Sequence, residues 1–224
     1  MDERSAVTRG RTLDHAAKVY DFCEPILLLG KQGAYNREIV ALLELEPGQR
    51  VLDLGCGTGE LTRMIADSLD AAKGGRAVGI DAAAKMIQVA RKKRENDTCR
   101  FDVVAAESLP YEDGAFDAVV SSLFFHHVDL ELKQRTLAES FRVLPPGGKL
   151  VIADMHLPTT WMGWLVSWTS RWFFMQPQIA ENIRGMLPGL MTEAGFSPPA
   201  IRAYYFGYIA IFTCEKSGGG HGTA

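Results

Sequence analysis

Between residues 46 and 156 the chain alternates short unbroken apolar runs with stretches whose apolar positions recur every three or four residues. Unbroken runs predict strands buried on both faces, and the longer period predicts amphipathic helices. The run Arg50–Leu54 (RVLDL), set off by Pro47-Gly48 and by the glycines after it, is the first predicted strand. Leu61, Met64, Ile65 and Leu69 repeat at helical spacing behind it. Residues 77–80 predict a second strand that ends at Asp81, and Met86, Ile87, Val89 and Ala90 a helix closed by the basic run 91–94. Residues 101–104 and 116–121 predict the third and fourth strands. Asp129 stands as an N-cap before Leu130, Leu137, Phe141 and Leu144 on one helical face. Pro145-Pro146-Gly147-Gly148 stops that helix ahead of a fifth strand at 149–153. This alternation predicts an α/β fold, a mostly parallel sheet with helices on both faces.

The flanks are less regular. Residues 1–45 read as mostly helical, and residues 217–224 (SGGGHGTA) as a flexible tail behind a domain spanning 46–216. Residues 179–194 read as a helix interrupted at Pro188-Gly189, and 200–206 and 208–213 as two more strands around Gly207. Residues 157–185 read as an aromatic insertion or cap. Trp161, Trp164, Trp168 and Trp172 are spaced three, four and four, so a helix aligns them on one face. Three readings of that face stay open: a cover for a large apolar substrate, core packing or a homodimer interface, and contact with a membrane surface.

Composition narrows the function classes. A chain of 224 residues suits one α/β domain, and 47% hydrophobic with 23% charged residues argues against disorder. Lys and Arg number 24 against 27 Asp and Glu, for a net charge of -3, so a nucleic-acid partner is not expected. Cys23, Cys56, Cys99 and Cys214 are scattered and form no CxxC pair. That pattern speaks against a disulfide scaffold or zinc site and for a reducing cytoplasm. The N-terminus is polar, and no uncharged apolar run is long enough for a spanning helix. A cytoplasmic protein without a metal is the expectation.

The chemistry concentrates in Val51-Leu52-Asp53-Leu54-Gly55-Cys56-Gly57-Thr58-Gly59. A strand runs into three glycines at alternate positions and a helix opens behind them, so the backbone can approach a ligand closely. Asp81, at the end of the next strand, is placed to accept from two ribose hydroxyls. A dinucleotide fingerprint would read GxGxxG, but position 60 is Glu. Asp53 and Glu60 would both repel a diphosphate. A cationic nucleoside without phosphate, such as S-adenosylmethionine, suits the loop better.

VLDLGCGTGELT resembles the first motif of class I S-adenosylmethionine-dependent methyltransferases, and VGIDAAAKMI their second. ESLPYEDGAFDAVVSS and FRVLPPGGKLVIAD resemble the later motifs. Within that family the chain looks most like the ubiquinone and menaquinone C-methyltransferase group. The resemblance implies a Rossmann-like, seven-stranded sheet with an N-terminal helical lid, S-adenosylmethionine as cofactor, and a small, apolar or quinol-like acceptor. It implies that Asp53, Gly55 and Gly57 line the methionine part, with Cys56 and Gly59 in the same loop. It implies Asp81 and Ala82 at the ribose, Met86, Ala106 and Glu107 at the adenine, and Ser121 or Ser122 at the methionine end. Tyr20 is the preferred lid contact, with His15 and Tyr35 on the same segment. The family often carries an acid where this chain has Ala105, so that contact is expected to be missing, or to be replaced by Glu107 or a backbone carbonyl.

Candidate reactive groups follow strands four and five. His126 or His127 is a candidate base for a phenol or enol proton, and Asp154 either orients a substrate hydroxyl or caps its turn. Two rival functions are kept: a non-catalytic nucleoside-binding subunit of a hetero-complex, and an NAD-dependent oxidoreductase.

Overall fold

The computed structural model describes residues 4–8, 32–173 and 178–218. Its centre is a seven-stranded sheet in the order β3-β2-β1-β4-β5-β7-β6. The strands are β1 (Arg50–Leu54), β2 (Arg76–Asp81), β3 (Cys99–Val103), β4 (Ala118–Ser122), β5 (Lys149–Met155), β6 (Ala200–Tyr205) and β7 (Ile209–Glu215). β1 to β5 pair in parallel, and β7 runs antiparallel between β5 and β6. The order reverses between β1 and β4, and in open α/β sheets the ligand crevice lies outside the carboxyl ends at such a switch.

The helices are α1 (Gln32–Leu43), α2 (Glu60–Ala66), α3 (Ala84–Arg94), α4 (Leu130–Val143), α5 (Trp161–Phe173), α6 (Ile179–Ile183) and α7 (Leu187–Glu193). Two apolar cores flank the sheet. One packs Leu52, Leu54, Ile80, Val119 and Ile152 against Leu137 and Val143 of α4 and Leu187, Leu190 and Met191 of α7. The other packs Val51, Ala77, Val120 and Val151 against Tyr35, Ile39, Ile65 and Ile87 of α1 to α3. Alternate residues of one strand therefore serve opposite cores, as unbroken apolar runs require.

The structure shifts some expected boundaries. β4 starts at Ala118 rather than 116, because Phe116 and Asp117 are spent on backbone bonds to Val143 and Arg50. The predicted 179–194 helix breaks at Gly185, which takes φ 78, and not at Pro188-Gly189. Pro188 lies in the first turn of α7, where its missing N–H costs nothing. Residues 4–8 form no helix, and His15, Tyr20 and Cys23 lie outside the described residues.

α5 inverts the usual arrangement. Gly163 and Ser167 are buried while Trp161 is 76% and Trp164 55% exposed. A Cβ on Gly163 would stand 2.4 Å from the Gly207 carbonyl, so glycine there lets the helix lie directly on the β6–β7 turn. Trp168 turns inward toward Met155, Ile179 and Ile183. Of the three described tryptophans, two thus face outward and one packs inward.

Candidate active site

The glycine loop gets its shape from three left-handed residues, Gly55 (φ 69), Gly57 (φ 53) and Gly59 (φ 86). Space forbids larger residues at two of them. A Cβ on Gly55 would lie 2.6 Å from the Phe124 ring, and one on Gly59 2.3 Å from the Phe101 ring. The loop is tied to β2 at both ends: Cys56 N–H donates to the Ile80 carbonyl at 2.9 Å and Gly57 N–H to Asp81 Oδ2 at 3.1 Å. Asp81 Oδ1 accepts from Ala83 N–H at 2.8 Å. A carboxylate thus occupies the loop donor that a diphosphate would need, and the phosphate cradle of an NAD site is not formed. Each carboxylate oxygen has a second acceptor position, so Asp81 can still receive hydroxyl donors.

Two cavities meet at Gly55 and Gly57. The larger, about 680 Å³ and open to solvent, is bounded by Asp81, Ala82, Met86, Ala106, Glu107 and His127, with Thr8, Leu123 and Phe124. The smaller, about 410 Å³, is bounded by Asp53, Cys56, Thr58, Glu60 and Ser122, with Gln32 and Asn36 of α1. A nucleoside with an amino-acid tail fits this plan, with its apolar-walled half beside Met86 and its acid-lined half beside Asp53. Asn36 sharpens the fit: it is 1% exposed, and its Nδ2 donor meets no acceptor among the described residues. A ligand carboxylate would satisfy it. Asp53 is buried and accepts from Thr62 Oγ1 at 2.6 Å, which fixes its orientation. Burial, then the carboxylates of Asp53 and Asp81, push the Cys56 thiol well above its ordinary pKa, so it stays protonated and is no nucleophile.

Some expected residues sit elsewhere. Ser121 is fully buried and donates to the Leu54 carbonyl at 3.1 Å, so only Ser122 of that pair reaches a cavity. Ser122 Oγ lies 2.9 Å from the Tyr35 hydroxyl, which makes Tyr35 a buried support for the cavity wall. Gly59 borders neither cavity and acts through the turn it permits. Tyr20 lies outside the described residues.

Asp154 is the main correction. Its side chain is fully buried and its oxygens accept from Phe125 N–H (2.7 Å), Met155 N–H (2.7 Å), Asn182 Nδ2 (3.2 Å) and His126 Nδ1 (2.8 Å). It therefore cannot touch a substrate, and it closes the turn after β4. Burial alone would raise its pKa. His126, the Met155 N–H and His127 together outweigh burial and hold the carboxyl below the ordinary value. Asp154 holds the Nδ1 edge of the His126 ring and so fixes its orientation. The His126 and His127 rings lie 3.9 Å apart, and His127 faces the larger cavity.

No sequence signal marked the segment 4–8. Ala6 N–H donates to the Ala82 carbonyl at 2.9 Å, Ser5 Oγ accepts from Ala84 N–H at 3.1 Å, and Thr8 Oγ1 donates to Glu107 at 2.5 Å. Thr8 thereby borders the larger cavity beside Glu107. Leu123 was equally unforeseen. It takes φ 54, rare for a leucine, and turns the chain so that Phe124 covers Gly55. Among the described residues, no group of three or more His, Cys, Asp or Glu could hold a metal ion.

Comparison with known proteins agrees with this geometry. Residues 52–152 match the model of a methyltransferase domain. The chain is 32% identical to a demethylmenaquinone methyltransferase of Thermus thermophilus, over 83% of this chain and 80% of that one. It is 27% identical to the corresponding protein of Symbiobacterium thermophilum, over 91% and 90%. A phosphoethanolamine N-methyltransferase of Haemonchus contortus, solved with S-adenosylhomocysteine, shares the fold at TM-score 0.68 and 17% identity, over 92% of this chain and 58% of that one.

Proposed function

We propose, for a chain that belongs to the class I S-adenosylmethionine-dependent methyltransferases, that the acceptor is a lipophilic quinol and that the methyl group goes to a ring carbon. Two relatives named as demethylmenaquinone methyltransferases support this reading. The observation that carries it is the position of His127, which lines the same cavity as Gly55, Gly57 and Asp81. The bound cofactor supplies an electrophilic methyl on a sulfonium. Asp81 is the residue to hold its ribose, Met86 and Glu107 its base, and Asn36 and Asp53 its amino-acid end.

A quinol carbon becomes a better nucleophile as the neighbouring hydroxyl loses its proton. His127 is the group to receive that proton, since histidine titrates near neutrality. His126 and Asp154 are positioning residues that fix the ring stacked behind it. Phe124 and Leu123 line the cavity beside His127, and alignment of the reactants there can be worth up to roughly 7–11 kcal/mol. Turnover with methyl-labelled cofactor and a panel of quinols and phenols tests the reading. Label on a quinol ring carbon is the expected product. Label confined to oxygen, or no turnover with any quinol, would overturn the acceptor assignment. His127→Gln should lower kcat about a hundredfold with cofactor affinity unchanged.

A further inference from the structure

Six of the large apolar side chains that the described surface exposes fall within ten residues: Leu157, Trp161, Met162, Trp164, Leu165 and Val166. Five of them lie on the first half of α5, where Gly163 and Ser167 face the protein and these five face away. Scattered exposed apolar residues are ordinary, but a contiguous patch marks a contact. Among the described residues, these side chains stay exposed.

The chemistry of the patch favours one occupant. From 157 to 180 the chain contains no Asp or Glu. Glu181, just beyond, is ion-paired with the buried Lys133. Arg171 lies in α5, and Arg184 is exposed at the end of α6, which packs on α5. The segment therefore carries no negative charge of its own to oppose an anionic surface. Two of its hydroxyls are already engaged: Thr169 Oγ1 donates to the Leu165 carbonyl at 2.7 Å and Thr160 Oγ1 accepts from Gly163 N–H at 3.0 Å. A protein partner would be met through roughly one hydrogen bond per 100–200 Å² of interface. Exposed tryptophans offer an apolar body with one polar tip, which suits the headgroup boundary of a bilayer. No described helix is long and apolar enough to cross a membrane, so the contact is with the surface.

We propose that the outward face of α5 docks the protein onto anionic phospholipid bilayers, with Trp161 and Trp164 as the inserted side chains. α5 follows the carboxyl end of β5, the sheet edge that also carries the crevice. If the quinol reading above holds, docking brings that edge close to where a lipophilic acceptor resides. The docking itself does not depend on that reading.

Flotation of the full chain with vesicles, without acceptor or cofactor, tests the proposal. Binding to phosphatidylcholine vesicles doped with phosphatidylglycerol is expected, together with a blue shift of tryptophan emission. Phosphatidylcholine alone should bind several-fold more weakly. Trp161→Ser with Trp164→Ser should cut binding about tenfold, and Trp164→Ser alone should cut it by less. The variants' affinity for S-adenosylhomocysteine should match that of the parent chain and report an intact fold. Absence of vesicle binding by the parent chain would overturn the proposal. So would undiminished binding by the double variant, or a concentration-dependent dimer that the substitutions abolish while no vesicles are bound.

Discussion

The two sides of the crevice are built on different principles. On the β1–β2 side, shape comes from the main chain: three left-handed glycines, backbone donors tied to Ile80 and Asp81, and rings of Phe101 and Phe124 filling the space a Cβ would need. On the β4–β5 side, shape comes from side chains gathered across the sequence. Asp154 draws together Phe125, His126 and Asn182, each 28 or 29 residues away. A main-chain site holds a constant ligand by a short local motif. A side-chain network can be altered one residue at a time, which is what a site for a variable acceptor requires.

The sharpest way to break that contrast is to delete the hub of the side-chain half. Asp154→Ala would leave four donors facing a buried gap. We expect a loss of about 3–5 kcal/mol in denaturant unfolding. Asp154→Asn, which keeps part of the network, should lose less. A stability equal to that of the parent chain would mean the carboxylate does not organise this half.

The main-chain half is tested at Gly59. Gly59→Ala combines a φ of 86 with a 2.3 Å approach to Phe101. It should destabilise by about 2–4 kcal/mol, read from the same denaturant curves. Gly74 has the same φ but nothing within 4 Å of an added Cβ, so Gly74→Ala should cost only the conformational share, about 1 kcal/mol. Equal costs at the two sites would remove the packing argument.

Ligand binding separates the halves next. Asp81→Ala should weaken S-adenosylhomocysteine binding by about 1–3 kcal/mol in calorimetry. His127→Gln should leave that affinity where it is. If both variants lost affinity alike, the division between cofactor wall and acceptor wall would fail.

The smallest effect is a pH dependence. His156 follows β5, is buried, and packs edge-on against Phe212. Burial lowers its pKa from the ordinary value. A histidine depressed in the folded state binds its proton more readily when unfolded. Its contribution is therefore fully present above the unfolded pKa, about 6.5. It is lost progressively as pH falls from there towards the folded pKa. Thermal scans from pH 8 to 5 should show that decline, and His156→Phe should flatten it. An identical slope in the variant would place the titrating group elsewhere.

The local signals in the sequence were strong where the structure is local. The alternation of apolar runs and helical periods set β1 to β5 and the helices between them, because a strand buried on both faces must be apolar throughout. The spacing of Gly55, Gly57 and Gly59, with Asp81 one strand later, marked the cofactor wall, because positive φ and close approach are written into residue type. Tertiary packing alone decided the rest. Whether Ser121 or Ser122 meets a cavity depends on strand pairing, and Asp154 became a buried hub because α6 brought Asn182 to it. Thr8 reaches Glu107 across 99 residues of chain, and Ala6 reaches the distant Ala82. The tryptophan spacing announced one helical face. Which way that face points was decided by Gly163 lying against Gly207, a close approach that no periodicity encodes.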